Sequence, residues 1–306
     1  MLAALLQMVV LMAIGVLWKH IAPSHISAQA HRRAITDLVF YLLLPALVLD
    51  IIWQTPLNTA SLHISFIALC AISVGLLLMW LALRIIKPGK KQTGTLLLAA
   101  AFPNATYLGL PVLGAVLGEH TQAIVIQYDL FACTPVLLSL GILLAHYYGD
   151  HQVETHPIRE LLKIPPLWAV TIGVGLNLSG IEQPEFLHTS LSTLAGGVVP
   201  IMLIVLGMSI RWGSLRLRFM PLLSLVALIS LIIVPFSVYT ISHWINLSAP
   251  LITPVTLIAA MPTMIFGIVI CERYQLDGEL YAAAVTLTTL ASLITLPILF
   301  YLLSLS

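Results

Sequence analysis

Ten predominantly apolar stretches follow one another along this sequence, each close to the length a helix needs to cross a bilayer. They run from Leu2 to Ile21, Ala34 to Trp53, Leu62 to Ile86, Thr93 to Leu117, Ala123 to Ala145, Pro166 to Ile181, Ser190 to Ile210, Leu222 to Ile245, Leu251 to Tyr274 and Leu280 to Leu303. A hydrocarbon core about 30 Å thick takes roughly 20 residues per helix. Only 8% of the 306 residues are charged and 60% are hydrophobic, so water is not the solvent for most of this chain. Backbone polar groups in lipid must bond within the protein. The expected fold is therefore an all-α polytopic membrane protein with ten transmembrane helices.

The basic residues test that count. Lys19, Arg32 and Arg33 fall between the first two stretches; Arg84, Lys87, Lys90 and Lys91 around the third connection; Arg159 and Lys163 after the fifth stretch; Arg211, Arg216 and Arg218 after the seventh; Arg273 after the ninth. These are all thirteen, and every one lies in an odd-numbered connection. Lys and Arg collect in cytoplasmic loops, so both termini are expected on the non-cytoplasmic side. Trp18, Trp53, Trp168, Trp212 and Trp244 sit near span ends, where amphipathic rings anchor in the headgroup layer. No basic residue precedes the first apolar stretch, so it reads as a retained helix rather than a secretory leader.

Several function classes drop out. A net charge of +1 without a basic or acidic tail gives no footprint for nucleic acid. Cys70, Cys133 and Cys271 lie in apolar runs without metal-ligand spacing, and read as small core residues. The histidines, for example His20, His25, His31, His151 and His156, fall mostly in connections or at span ends and read as solvated surface. No HExxH, GxGD or DDxxD pattern occurs, so the chain is not expected to be an enzyme, and neither a cofactor nor a metal is expected.

The most polar connection falls almost at the midpoint. It divides the chain into a first five-helix unit at 1–146, a cytoplasmic connecting loop at 147–164 and a second unit at 165–306. Pro45, Pro103 and Pro135 are answered by Pro200, Pro262 and Pro297, 155 to 162 residues later. Because each unit holds an odd number of spans, the second enters the membrane upside down, giving two inverted five-helix repeats.

Spans four and nine are expected to break. Span four holds Pro103, Gly109, Pro111 and Gly114, and span nine holds Pro262 followed by Thr263, Met264 and Gly267. A proline lacks an N–H and clashes with the carbonyl four residues earlier, so Pro103 frees the oxygen of Ala99 and Pro262 that of Ile258. Freed backbone at membrane depth is tolerated where it is buried in protein or lines a wet cavity. Paired interruptions in two halves point to a transport site, because half-helix N-termini carry about half a positive charge and suit an anion. The substrate-binding set expected there is Pro103, Asn104, Thr106, Gly109, Pro111, Pro262, Thr263 and Met264.

FPNATYLGLPVL in span four and AAMPTMIFGIVICERYQLDGELYAAAVTLTTLASLITLP across the last two spans resemble the auxin efflux carrier family, especially its bacterial members. The similarity covers nearly the whole chain and includes YLLLPALVL of span two. It implies a fold related to the sodium–bile acid symporters, with helices four and nine crossing at the substrate site. It further implies that spans three to five and eight to ten move against a scaffold of spans one, two, six and seven, and that the cargo is a small organic acid.

Asp129, within IVIQYDLFACTP, is the ionisable residue most clearly inside a span, where a charge costs roughly 2.5 to 3.5 kcal/mol. It suits proton binding and release, or contact with a cation or substrate beside Gln127; its structural alternative is to fasten the broken backbone. Asp37 and Tyr41, one turn apart in span two, are weaker candidates for polar support. Asp50, Glu119, Glu182, Glu185, Glu272, Asp277 and Glu279 read as wet edges. The function expected is a secondary transporter of a small organic anion in the bacterial inner membrane, working by alternating access. The alternatives are an ion-coupled symporter of the bile-acid type, or a channel or receptor. Its partners are the substrate and the lipid bilayer; proton or sodium coupling and a homodimer stay open.

Overall fold

The computed structural model describes residues 2–21, 26–149 and 162–305. Most of the connecting loop expected at 147–164, with His25, His151, His156 and Arg159, lies outside the described residues. Helices occupy all ten apolar stretches: α1 Leu2–Ile21, α2 Ala28–Gln54, α3 Thr59–Ile86, α4 Lys90–Ala101, α5 Ala105–Leu117, α6 Glu119–Tyr148, α7 Pro165–Leu178, α8 Glu185–Ser209, α9 Leu217–Trp244, α10 Ala249–Ala259, α11 Gly267–Arg273 and α12 Gly278–Leu303. Six of them, α2, α3, α6, α8, α9 and α12, are long and apolar enough to cross a membrane. The stretches expected as spans four and nine are each in two pieces, α4 with α5 and α10 with α11.

One boundary is corrected. Helix α2 starts at Ala28 because the Ser27 hydroxyl caps it, accepting the Ala30 N–H at 3.2 Å. Arg32 and Arg33 therefore lie inside the helix and not in the connection before it.

Prolines shape the remaining helices by widening them. π-helical turns at Val39–Leu43, Ala105–Gly109, Asp129–Cys133 and Ile229–Ile233 end two residues before Pro45, Pro111, Pro135 and Pro235. In three of these turns the closing N–H reaches five residues back, Leu44 to Val39, Thr134 to Asp129 and Val234 to Ile229. An extra residue in the turn relieves the clash between the proline ring and the preceding carbonyl. Pro111 therefore leaves α5 helical, and only the Pro103 end of span four opens. The proline pairs do not all behave alike: Pro135 follows a π turn, whereas Pro297 sits inside the uninterrupted α12.

The helices pack in two groups. In one, α1 lies along α8 and α2 lies against α7 and α8; in the other, α3, α4 and α6 interleave with α9, α10 and α12. Two glycines bring α1 and α8 into backbone contact. A methyl group at Gly15 would sit 2.0 Å from the Ile204 carbonyl oxygen, and one at Gly207 would sit 1.9 Å from that of Met12. Small residues give membrane helices this close approach, which supplies dispersion contacts where no hydrophobic drive exists between helices. At the other end of the bundle the Asn177 amide reaches the last carbonyls of α2, bonding Trp53 at 2.8 Å and Thr55 at 2.9 Å, while the Trp53 indole donates to Ile181 at 2.7 Å.

Gly207→Ala is expected to force α1 and α8 apart and to cost about 1–3 kcal/mol by overpacking, read as a lower midpoint of thermal unfolding in detergent. Gly175→Ala, whose methyl meets nothing within 4 Å, should leave the midpoint unchanged or raise it slightly.

Candidate functional site

Chain interruptions at 102–104 and 260–266 meet edge to edge. The Asn104 N–H donates to the Pro262 carbonyl at 2.7 Å and the Met264 N–H to the Phe102 carbonyl at 3.0 Å, an antiparallel bridge between Pro103 and Thr263. The carbonyl of Ala99, freed by Pro103, accepts the Thr263 hydroxyl at 2.8 Å. The Ile258 oxygen, freed by Pro262, accepts the Met261 N–H at 3.1 Å. Helix α12 supports the crossing from behind: the Thr263 N–H donates to the Thr288 hydroxyl at 3.1 Å and the Tyr281 hydroxyl donates to the Met264 carbonyl at 2.9 Å. Gly267 leaves room for that tyrosine, since a methyl there would lie 2.0 Å from its oxygen.

The expected site residues are all buried except two. Pro103, Asn104, Thr106, Gly109, Pro111, Gln127, Asp129, Pro262, Thr263 and Met264 are buried. Asp37 and Tyr41 are exposed, and Tyr41 leans edge-on against Phe40. Gly109 has ordinary helical dihedrals, and a methyl there would meet Val125 at an ordinary 3.5 Å, so neither conformation nor space demands a glycine.

Cavities on either side of the crossing divide the buried set. A small one of about 50 Å³ is lined by Asn104, Thr106, Asp129 and Met264, with Phe40 and Phe266 across it. Those two rings stack with centroids 6.3 Å apart. Both half-helix starts border this cavity, because Asn104 precedes α5 and Phe266 precedes α11. A much larger one, about 1080 Å³, lies on the other side among the connections that carry no Lys or Arg, and is lined by Pro111, Gln127, Asp50, Gln54, Glu119 and His188. Pro103 and Thr263 face neither of these two cavities.

Electrostatics inside the small cavity are set by Asp129. Its carboxylate accepts the Thr106 hydroxyl at the start of α5 and the Thr134 hydroxyl at 3.0 Å. The protein's own carboxylate thus lies beside the half-helix N-terminus, where an external anion is expected. Asn104 keeps capacity in hand: its Nδ2 is buried without a hydrogen-bond partner among the described residues, and the Gln127 Oε1 is likewise unpartnered. Two unmet amides beside cavities are where a ligand group fits with least loss, since an unpaired buried polar atom costs about 1–3 kcal/mol.

Asp50 departs from the expected wet edge. Asp50 is only 7% exposed, with the Gln183 amide at 2.8 Å and the His188 Nδ1 at 2.9 Å from its carboxylate. A carboxylate buried by an apolar helix needs such partners. The signal was present in LVLDIIW, an aspartate in a continuous apolar run, but its partners lie more than 130 residues away in sequence.

A family model described as membrane transport protein matches residues 1–300. An uncharacterized transporter of Methanothermobacter thermautotrophicus is 27% identical over 297 residues, covering 96% of this chain and 95% of the relative. An uncharacterized transporter of Methanocaldococcus jannaschii is 26% identical over 276 residues, 88% of each chain.

Thr263→Val keeps the shape and removes the donor to Ala99. It is expected to destabilise the protein by about 1–3 kcal/mol, the cost of an unsatisfied buried carbonyl, whereas Thr263→Ser, which keeps the hydroxyl, should lose distinctly less. Thermal unfolding of the two variants side by side measures the difference.

Proposed function

This chain belongs to the membrane transport protein family, the auxin-efflux-carrier-like transporters it resembles, and on that premise we propose that it is a secondary carrier of a small organic anion such as a carboxylate. The observation that carries this reading is the crossing at Pro103 and Thr263, with a half-helix start and an unpaired Asn104 amide facing one cavity. Peptide N–H groups and a carboxamide bind a carboxylate without a basic side chain. In this reading the ten helices form two inverted five-helix repeats in the bacterial inner membrane, with both termini on the non-cytoplasmic side.

The cavities support alternating access. The large one lies among the connections without Lys or Arg, which the positive-inside rule assigns to the outer face. The small one, at about 50 Å³, has room for water rather than for a carboxylate with a carbon chain. The conformation is then open outward and closed inward, with Phe40 and Phe266 as the inner seal. Conversion requires the group holding the crossing to slide against the group of α1, α2, α7 and α8, an elevator motion.

Asp129 supplies the coupling. A substrate carboxylate at the start of α5 would meet the Asp129 carboxylate hydrogen-bonded to Thr106, and two like charges in a low-dielectric site repel strongly. Protonating Asp129 removes that conflict, so proton and anion bind together. Sodium coupling, as in the bile-acid symporters, is the second reading, favoured by the convergence of the Asp129, Thr106 and Thr134 oxygens.

In proteoliposomes screened with mono- and dicarboxylates, wild-type uptake is expected to weaken as pH rises and to follow a proton gradient. Asp129→Asn mimics the protonated acid and should flatten that pH profile while retaining binding; an unchanged profile eliminates proton coupling through this residue, and a response to a sodium gradient alone favours the second reading.

Asn104→Ala should insert normally and lose roughly tenfold or more in uptake, the worth of one charge-assisted hydrogen bond. Full activity in that variant removes Asn104 from the site.

A further inference from the structure

A separate cavity of about 300 Å³ lies at the Lys/Arg-rich end of the bundle, lined by Lys19 of α1, Arg32 of α2, Arg211 just past α8, and Glu272 of α11. Three cations from three elements thus surround one space, with a single carboxylate among them. The cations are close enough to act on one another: Arg211 and Arg32 are the like charges that bear on Lys19, and Arg211 bears on Arg32. Among the described residues none of the three has a carboxylate within ion-pair distance. Their side-chain hydrogen bonds go to neutral groups, Lys19 to the Ile210 carbonyl and Arg32 to the Ser209 hydroxyl at a long 3.5 Å. Arg211 bonds through its backbone, its N–H donating to the Thr286 hydroxyl at 3.1 Å and its carbonyl accepting from Ser214.

Topology alone does not require this arrangement. The positive-inside rule is met by cations anywhere in the cytoplasmic connections, and converging three of them on one half-buried cavity raises the energy unless an anion sits between them. The unused donors of two guanidinium forks and an ammonium match the oxygens of a phosphate group, which such forks bind in pairs. We infer that this cavity is a phosphate-binding site, distinct from the Pro103 and Thr263 crossing, at which a phosphomonoester or phosphodiester anion bridges α1, α2 and the end of α8. Glu272 enters from the other helix group, and competes with the anion for the same cations. The chemistry is shared by free phosphate and by an anionic phospholipid headgroup.

Thermal unfolding of the full-length protein separates these sources. Inorganic phosphate is titrated in detergent at constant ionic strength, and phosphatidylcholine nanodiscs are compared with nanodiscs that also contain phosphatidylglycerol. A saturable rise of the midpoint with phosphate identifies a free-anion site; a rise only with phosphatidylglycerol identifies a headgroup site. Arg211→Gln and Arg32→Gln should each weaken the effective probe roughly tenfold, and Glu272→Gln, which removes the competing charge, should tighten it. Because the last change acts in the opposite direction, a damaged fold cannot imitate the full pattern. No saturable response to either probe, or the same response in all variants, overturns the site.

Discussion

The antiparallel bridge between Pro103 and Thr263 is the interaction on which the rest of this structure depends. Two helices stop in the middle of an apolar bundle, which would strand carbonyls and N–H groups at several kcal/mol each if they met only hydrocarbon. Each interruption instead satisfies the other. Phe102 and Pro262 lend their carbonyls to Met264 and Asn104, and Thr263 returns a hydroxyl to the carbonyl that Pro103 had displaced. The reciprocal bonds join the two halves of the chain at this point.

Much of this was legible in the sequence because the causes are local. A proline takes away its own amide and displaces a known carbonyl, so the broken spans and the orphaned oxygen of Ala99 follow from position alone, as does the burial of Asn104, Thr106 and Asp129. What was not legible depends on partners distant in the chain. Asp50 looked like a wet edge because Gln183 and His188, which bury and pair it, lie in the other half. Gly109 belongs to the expected binding set with Pro111, but its dihedrals and surroundings accept a side chain, whereas Gly267 owes its identity to Tyr281. Asp37 and Tyr41 share a helix face by spacing, yet only tertiary placement reveals that this face is exposed.

The expected single cavity also resolves into two for a structural reason. The crossing is a wall, with Asn104 and Asp129 on one side and Pro111 and Gln127 on the other. Gln127 and Asp129 are two residues apart on α6, and such positions on a helix do not share a face, which puts these neighbouring polar side chains on opposite sides. The π turns elsewhere let helices keep proline without breaking, which confines true interruption to the pair that can repair each other.

The contrast between the crossing and its surroundings bears on how transport proceeds. Within the crossing, backbone bonds, the Thr263, Thr288 and Tyr281 bonds and the Thr106–Asp129–Thr134 set tie α4, α5, α6, α11 and α12 into one body. Its border with α1, α2 and α8 is formed largely by apolar groups such as the Phe40 and Phe266 rings. Dispersion contacts are individually weak and are remade after a shift, whereas rupturing the bridge would leave buried peptide groups unpaired. On the carrier reading proposed above, opening the wall would be the expensive route, and carrying the intact wall past an apolar border the cheaper one. The same reasoning gives weight to the cationic cavity that Glu272 faces from the other group, because charge there would have leverage over the relative position of the two groups.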